Sequence, residues 1–346
     1  MNLSANEITT LIESELPHFD SKGAPQKLHG GNLNHVWRLR GKAKNLIVKI
    51  APPYIAANPE VALNPIRIEF EARALQLFQE DGLLHSVATD DIRPPNILLF
   101  DGNKHLLAME DMGELPDLTV IRNDESRATK LGIRLGRFIG HVHKQTFKKS
   151  DIARDFNNSG IQQTRLEVQY EPAAEYAQKA GIEDVSVIKS QTVSLGQKLL
   201  NPGCCLIMGD LWPRSILVNK GKLRIIDWEF AHWGRPLQDI GHLAAHCWMQ
   251  AHTTVSKTQK QTFKNLWINF WETYQATVDS IFSQLFDDDQ FRDTTTHIGA
   301  EILIRTTGPF KNGYVYQSFD SSHPLIKQAV QKARNLIRSD DFSSLW

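Results

Sequence analysis

Apolar residues recur along this chain with two different periods, and the period changes as the chain proceeds. Short apolar runs punctuated by turn residues predict strands over 26–39, with a break at Gly30-Gly31-Asn32, and over 45–50. A further pair, 96–100 and 105–109, closes on Asp101-Gly102-Asn103 as a hairpin. Helical spacing appears over 6–12 and 66–79. It returns over 127–145, where Leu131, Leu135, Phe138, Ile139 and Val142 share one face. Helices are also expected over 163–179, 184–200, from about 236 to 250, and over 255–282, 294–307 and 322–338. The polar stretch 148–162 reads as an exposed loop, and Asp287-Asp288-Asp289 as a solvated or helix-capping run.

Composition changes this picture mainly by exclusion. A chain of 346 residues is long enough for two lobes with a sizeable core. Lysine plus arginine equals aspartate plus glutamate at 39 each, so no global field draws the protein to nucleic acid or to a membrane surface. Three cysteines fit a reducing compartment rather than a disulfide framework. With no signal-like core at the start and no long apolar run, the expected location is the cytoplasm, as a monomer or homodimer.

Two short apolar strands, ending near Met208 and Ile226, each deliver a carboxylate to a loop: Asp210 from the first and Asp227 from the second. With the small oxygen ligand Ser215 between them, this is the spacing of a base and two metal ligands in phosphoryl transfer. That reaction needs an aligned acceptor hydroxyl, a cation on the phosphate oxygens and exclusion of water. Mg2+ prefers hard oxygen ligands, so Asp227, Glu229 and the Ser215 hydroxyl are the candidates. Lys49 closes an apolar strand where a phosphate-contacting lysine would stand. A Gly-Gly-Asn turn is by itself more often a plain hairpin than a phosphate loop. His141 and His143 lack a third ligand at suitable spacing, so no zinc site is read there.

The runs Met208-Gly209-Asp210-Leu211-Trp212-Pro213-Arg214-Ser215 and Ile226-Asp227-Trp228-Glu229-Phe230-Ala231 resemble the catalytic and metal loops of the aminoglycoside phosphotransferase and choline kinase family. Within it the motifs are most similar to those of the methylthioribose kinases. The resemblance implies an α+β, two-lobed protein-kinase-like fold, with a small antiparallel-sheet lobe over 1–112 and a mainly helical lobe over 113–346. It implies ATP and Mg2+ as cofactors and a small-molecule hydroxyl as acceptor, a sugar-like alcohol being favoured. Asp210 becomes the catalytic base or orienter. Gly30, Gly31, Asn32 and Asn34 form the nucleotide loop. Lys49 meets the phosphates and pairs with Glu71, with Glu69 in reserve, while Met109, Glu110 and Met112 form the adenine hinge. Asp239 braces the catalytic loop from within.

Trp212 and Trp233, each near a predicted catalytic group, and Arg305 are candidate substrate contacts. Arg305 resembles one member of a substrate-reading arginine pair whose other position is Ile304 here. Two further departures stand out: Met208 where most relatives have His, and Arg214 where most have Gly. They raise the alternative of a catalytically weak, regulatory nucleotide-binding module, and Met208 predicts a looser catalytic loop.

Overall fold

A computed structural model describes residues 4–28, 33–341 and 345–346. The expected phosphate-loop residues Gly30, Gly31 and Asn32 lie outside that set. The chain divides into two compact units: Met1–Leu115 with Arg224–Ala231, and Pro116–Leu223 with His232–Trp346.

The first unit is built on a five-stranded antiparallel sheet. Its spatial order is Gln26–Leu28, His35–Leu39, Leu46–Ile50, Leu106–Glu110, Ile97–Asp101. Strand side chains alternate between faces, so Leu46, Val48 and Ile50 point one way and Lys49 the other. The first three join Leu39, Leu106 and Ala108 in a core closed by Ile8 and Ile12 of the helix Ala5–Glu15. Ser4 caps that helix reciprocally with Glu7, whose carboxylate accepts the Ser4 N–H at 2.7 Å. Lys49 is paired with Val36 on one side and Leu107 on the other, and is buried.

The helix Arg67–Leu77 buries Ile68, Phe70, Ala74 and Leu75, and with them Arg67 and Glu71. The segment 224–231, expected in the helical lobe, counts with the first unit instead. Its Trp228 is fully buried, donates from Nε1 to the Ile225 carbonyl at 3.2 Å and packs 5.1 Å from the Phe78 ring. An aromatic of that size buried against a neighbour anchors the segment to which it belongs.

The second unit is mainly helical, with short strands among its helices. Cys205–Ile207 runs antiparallel to His232–Gly234, with Leu206 opposite Trp233. The helices Leu237–His252 and Asp288–Thr306 are buried on nearly all sides. Asp287 caps the second, accepting from the Gln290 N–H at 2.8 Å. Two expectations need correction. Residues 163–179 are not one helix: Ser159–Arg165 passes through a wider turn at Leu166–Tyr170, and Pro172, lacking an N–H, precedes a new start at Ala173–Gln178. Nor is 148–162 an exposed loop, since Ser150–Asp155 is helical and Ile152, Phe156 and Ile161 are buried. All three cysteines are free.

The helix Glu125–Thr146 lies against Lys257–Val278 through a feature that apolar periodicity does not register. Gly132, Gly136 and Gly140 share a face, and a Cβ on Gly136 would stand 2.3 Å from the Phe270 carbonyl oxygen. Alanine is the better helix former by about 1 kcal/mol, but overpacking costs roughly 1–3 kcal/mol and a backbone oxygen cannot swing aside. Gly136→Ala should therefore lower the melting temperature of the protein. An unchanged or raised value would show that the two helices can part at little cost.

Candidate active site

One constellation surrounds Lys49. Its Nζ lies 2.6 Å from Glu71 Oε1 and 2.6 Å from Asp227 Oδ1, so the strand lysine holds a helix carboxylate and a loop carboxylate together. Glu71 is the partner, and the reserve Glu69 pairs with Arg73 one helical turn on. Burial would lower the Lys49 pKa, but Asp227, Glu71 and Glu229 outweigh it and raise it, keeping the ammonium charged. Asp227 adopts φ 64°, ψ 58°, a left-handed conformation that aspartate tolerates better than most residues.

Glu229 is held from the helix Arg67–Leu77. Arg67 is almost completely buried, and its Nε lies 3.2 Å from Glu229 Oε2. Asn34, expected to bind nucleotide, donates to the same carboxylate at 3.0 Å and accepts from Arg67 at 3.0 Å. Arg67 also donates to the carbonyls of Leu33, Pro52 and Asn64, fixing the backbone on either side. Periodicity around Arg67 gives no sign of this, because a buried guanidinium and a solvated one occupy the same helical position.

In the hinge segment, the Met109 side chain is buried and Glu110 is held by Arg93 in a bidentate pair at 2.7 and 2.8 Å. Arg38 binds the neighbouring Asp111 and Glu114. The side chains of this segment are thus largely committed to structure, so any base recognition at Met109, Glu110 and Met112 falls to the backbone.

A second constellation surrounds the catalytic loop. Asp239, fully buried in the first turn of Leu237–His252, accepts the N–H groups of Met208 and Gly209, each at 2.8 Å. Gly209, at φ 79°, makes the turn that aims both amides at one carboxylate. His143 stands 3.2 Å from Asp239 and 2.9 Å from the Tyr274 hydroxyl, so the brace reaches back into the helix Glu125–Thr146. The loop thus has a brace that does not depend on a histidine at position 208: Met208 is fully buried and its backbone N–H is bound by Asp239.

Ser215, expected as a metal ligand, is fully buried with its hydroxyl turned into the loop. It donates to the Trp212 carbonyl at 2.8 Å, lies 3.2 Å from the Asp210 carbonyl and accepts from the Trp212 N–H at 3.3 Å. Its observed role is to hold the loop's shape.

Asp210 Oδ1 faces Arg165 at 3.4 Å and His242 at 3.2 Å. Burial would raise its pKa, and His242, Arg165 and Arg305 outweigh burial and hold it below the ordinary carboxylate value. Arg165 also binds the Gly209 carbonyl. Behind His242, Glu301 accepts from Arg305 at 2.7 Å, from Gln169 at 2.9 Å and from His246 at 3.1 Å. Trp212 and Arg305 come together as expected, the guanidinium 4.7 Å from the indole centroid, with Tyr314 beside both. Trp233 is instead a strand residue, its N–H donating to the Phe156 carbonyl at 2.8 Å. Arg165, His242 and Glu301 were missed. Only the pair His242 and His246, one helical turn apart, carried a signal in the sequence.

Residues 25–269 match the model of the phosphotransferase enzyme family APH, and the chain belongs to that family. It is 25% identical to a 4-hydroxytryptamine kinase of Psilocybe cyanescens, over 81% of this chain and 80% of that one. It is 24% identical to a methylthioribose kinase of Exiguobacterium sibiricum, over 82% of this chain and 79% of the other. Among solved structures, an amicoumacin kinase in complex with AMP-PNP and Ca2+ aligns with a TM-score of 0.52 at 13% identity, covering 97% of this chain and 96% of that one. A spectinomycin phosphotransferase bound to ADP aligns at 0.50 and 13%, covering 98% and 100%. The fold is protein-kinase-like. No described helix is long and apolar enough to cross a membrane.

The Glu229 carboxyl is pushed up to about 7 by burial, with Glu71 and Asp227 adding to the rise against Lys49 and Arg67. Its ordinary value is 4.5, so between about 4.5 and about 7 the folded protein holds a proton that the unfolded chain has released. That contribution to stability is present at low pH and lost as pH rises through the window. Glu229→Gln keeps the shape without titrating. Melting temperatures measured across pH should show the wild type losing ground to the variant as pH rises from about 4.5 to 7. A difference independent of pH would mean that Glu229 ionises normally.

Proposed function

We propose that the protein is an ATP-dependent small-molecule kinase that transfers the γ-phosphoryl group to a hydroxyl of its substrate. The observation that carries this reading is Lys49 held 2.6 Å from both Glu71 and Asp227. A buried ammonium gripped by two carboxylates is fixed in direction, which suits a group that must meet phosphate oxygens.

The residues present fit a hard divalent cation. Around Lys49 and Arg67 stand three carboxylates, Glu71, Asp227 and Glu229, so the cluster carries surplus negative charge when all are ionised. Asp227 is the accessible one, its side chain 40% exposed and its Oδ1 alone taken by Lys49. Asp227 would hold Mg2+, with Glu229 as an additional ligand once it is ionised, and Ser215 is left out. When bound, Mg2+ neutralises charge on the phosphate oxygens. Asp210 orients the acceptor hydroxyl and takes its proton. Its carboxylate is kept ionised by His242, Arg165 and Arg305, so it is ready as an acceptor.

Arg305 and Arg214 both lie against the rings of Trp212 and Tyr314. Two guanidiniums there repel an ammonium group, which favours a neutral, sugar-like alcohol over a polycationic or choline-like acceptor. No observation favours the regulatory reading: the loop that Met208 was expected to loosen is braced by Asp239.

ADP release measured over a panel of hydroxyl metabolites, methylthioribose and 4-hydroxytryptamine included, tests the assignment. With the responsive acceptor, Asp210→Asn should lower turnover about 10²-fold or more while ATP binding persists, because an amide fills the space but cannot take the proton. Near-normal turnover in that variant would remove the role given to Asp210. Asp227→Ala should weaken Mg2+-dependent nucleotide binding in calorimetry, and an unchanged affinity would place the metal elsewhere.

A further inference from the structure

Arg214 stands outside the charge balance of its surroundings. It lies in the short turn Pro213–Ser215, shortly after Asp210 in the same loop, and is exposed. Its guanidinium carbon is 5.7 Å from the centroid of the Trp212 ring and 5.5 Å from that of Tyr314. Arg305, on the helix Asp288–Thr306, lies 4.7 Å from Trp212, 5.5 Å from Tyr314 and 5.5 Å from Phe310. Two guanidiniums thus share the same two rings. The ring faces attract each cation, but an aromatic ring carries no net charge and cannot relieve the repulsion between them.

The carboxylates nearby are already engaged. Glu301 is buried and accepts from Arg305 Nε at 2.7 Å, from Gln169 at 2.9 Å and from His246 at 3.1 Å. Asp210 faces Arg165 and His242. With these two carboxylates set against Arg165 and Arg305, Arg214 is the cation left over. Among the described residues it makes its ring contacts and no hydrogen bond or ion pair. The terminal nitrogens of Arg305 likewise have no hydrogen-bond partner among the described residues.

We propose that Arg214 and Arg305 form an oxyanion subsite within the acceptor site, so that the substrate is an alcohol that also carries a carboxylate or phosphate group. The substrate class rests on the kinase reading, whereas the subsite itself does not. A guanidinium meets the oxygens of either group through paired hydrogen bonds, and the anion supplies the charge that the two arginines lack. The repulsion that ranks a neutral acceptor above a cationic one ranks an anionic acceptor above both. The place is open to a ligand at Arg214 and at Phe310, which is 41% exposed, while Arg305, its side chain 12% exposed, forms the inner end.

The position of Arg214 in the chain adds a second argument. Ser215 closes the loop that carries both Asp210 and Arg214, its hydroxyl 2.8 Å from the Trp212 carbonyl and 3.2 Å from that of Asp210. The group that reads the anion and the group that orients the hydroxyl are therefore set apart by one braced turn. An acceptor held at both points presents its hydroxyl to Asp210 in a single orientation. If Arg214 is merely solvated, the opposite outcomes follow.

The test has two arms on the full chain. In the first, the indole N–H signal of Trp212, assigned through Trp212→Phe, is followed by NMR as acetate, inorganic phosphate or acetamide is added at constant ionic strength. Acetate or phosphate should shift the signal saturably, and acetamide, which has the shape of acetate without its charge, should not. Arg214→Gln should weaken that binding about fivefold or more, and Arg214→Lys, which keeps the charge but not the fork, by less. Whichever anion binds more tightly tells a carboxylate subsite from a phosphate one. In the second arm, ADP release is measured with matched acceptors: gluconate against glucose, and glycerate and glycerol 3-phosphate against glycerol. The acidic member should show a kcat/KM about tenfold or more above its neutral partner, and Arg214→Gln should remove most of that preference through KM.

A Trp212 signal unmoved by both anions overturns the proposal, and so does a titration that is the same in Arg214→Gln as in the wild type. An active enzyme that prefers the neutral members, or whose preference for the acid survives Arg214→Gln, overturns it too. If no acceptor stimulates ADP release, the kinase reading falls and the substrate class falls with it. The anion titration, which needs no turnover, then still judges the subsite, so the two failures are distinguishable.

Discussion

A single carboxylate buried beneath the catalytic loop sets the geometry of the second unit. Asp239 has no access to water, and a carboxylate so placed is tolerated only if hydrogen bonds replace hydration. The N–H groups of Met208 and Gly209 supply two of them and His143 approaches as a third partner. Because the donors are backbone groups, the constraint passes directly to the chain direction at Asp210. Gly209 can make the turn only because its φ of 79° costs it nothing. The loop downstream is then closed by Ser215, whose hydroxyl works on the backbone of the same loop. A histidine at position 208 is not required for this brace. That explains how Met208 can occupy the place without a slack loop, its thioether filling apolar space beside the strand Cys205–Ile207.

The two constellations solve opposite electrostatic problems. Around Lys49, carboxylates outnumber cations, and the excess is held in place by buried partners: Glu71 by Lys49, Glu229 by Arg67 and Asn34. Such a cluster balances when a cation joins it or when Glu229 keeps its proton, and burial first, with Glu71 and Asp227 adding to it, raises that carboxyl to about 7. Around Asp210 the charges already balance, with Arg165 and Arg305 facing Asp210 and Glu301. Low exposure strengthens every one of these interactions and also makes any unpaired member expensive.

The motif-bearing residues were legible in the sequence and most of their supports were not. Lys49, Glu71 and Asp227 could be named because strand alternation, helix position and loop spacing each left few choices, and the structure joins those three. Glu69 and Glu71 were separable only by resemblance, since two residues on one helix differ in facing rather than in composition. The burial of Arg67 and Asn34 was not legible, because burial of a polar residue depends on partners far along the chain. Glu229, which holds both, is distant in sequence and near in space. Ser215 carried the expected residue type, but a hydroxyl serves a backbone as readily as a ligand, and Trp233 is tied into its strand through its own backbone. The stretch 148–162 failed for a related reason: its few apolar residues, Ile152, Phe156 and Ile161, are widely spaced yet all buried.

Asp227 shows how local strain and charge are reconciled. A left-handed backbone costs a residue with a Cβ on the order of 1 kcal/mol, and glycine at this position would remove that cost. Glycine would also leave Lys49 facing only Glu71 and the cluster without its accessible carboxylate. A charge-assisted hydrogen bond is worth roughly 1.5–3 kcal/mol, so the 2.6 Å contact with Lys49 outweighs the strain. The following turn, Trp228–Phe230, fixes the exit: Trp228 is buried against Phe78, and the chain cannot relax Asp227 without withdrawing that ring. The strained residue is therefore held from both directions, by an ion pair on its side chain and by an aromatic anchor on its backbone. The consequence is a carboxylate whose side chain stays 40% exposed while one oxygen is held by Lys49.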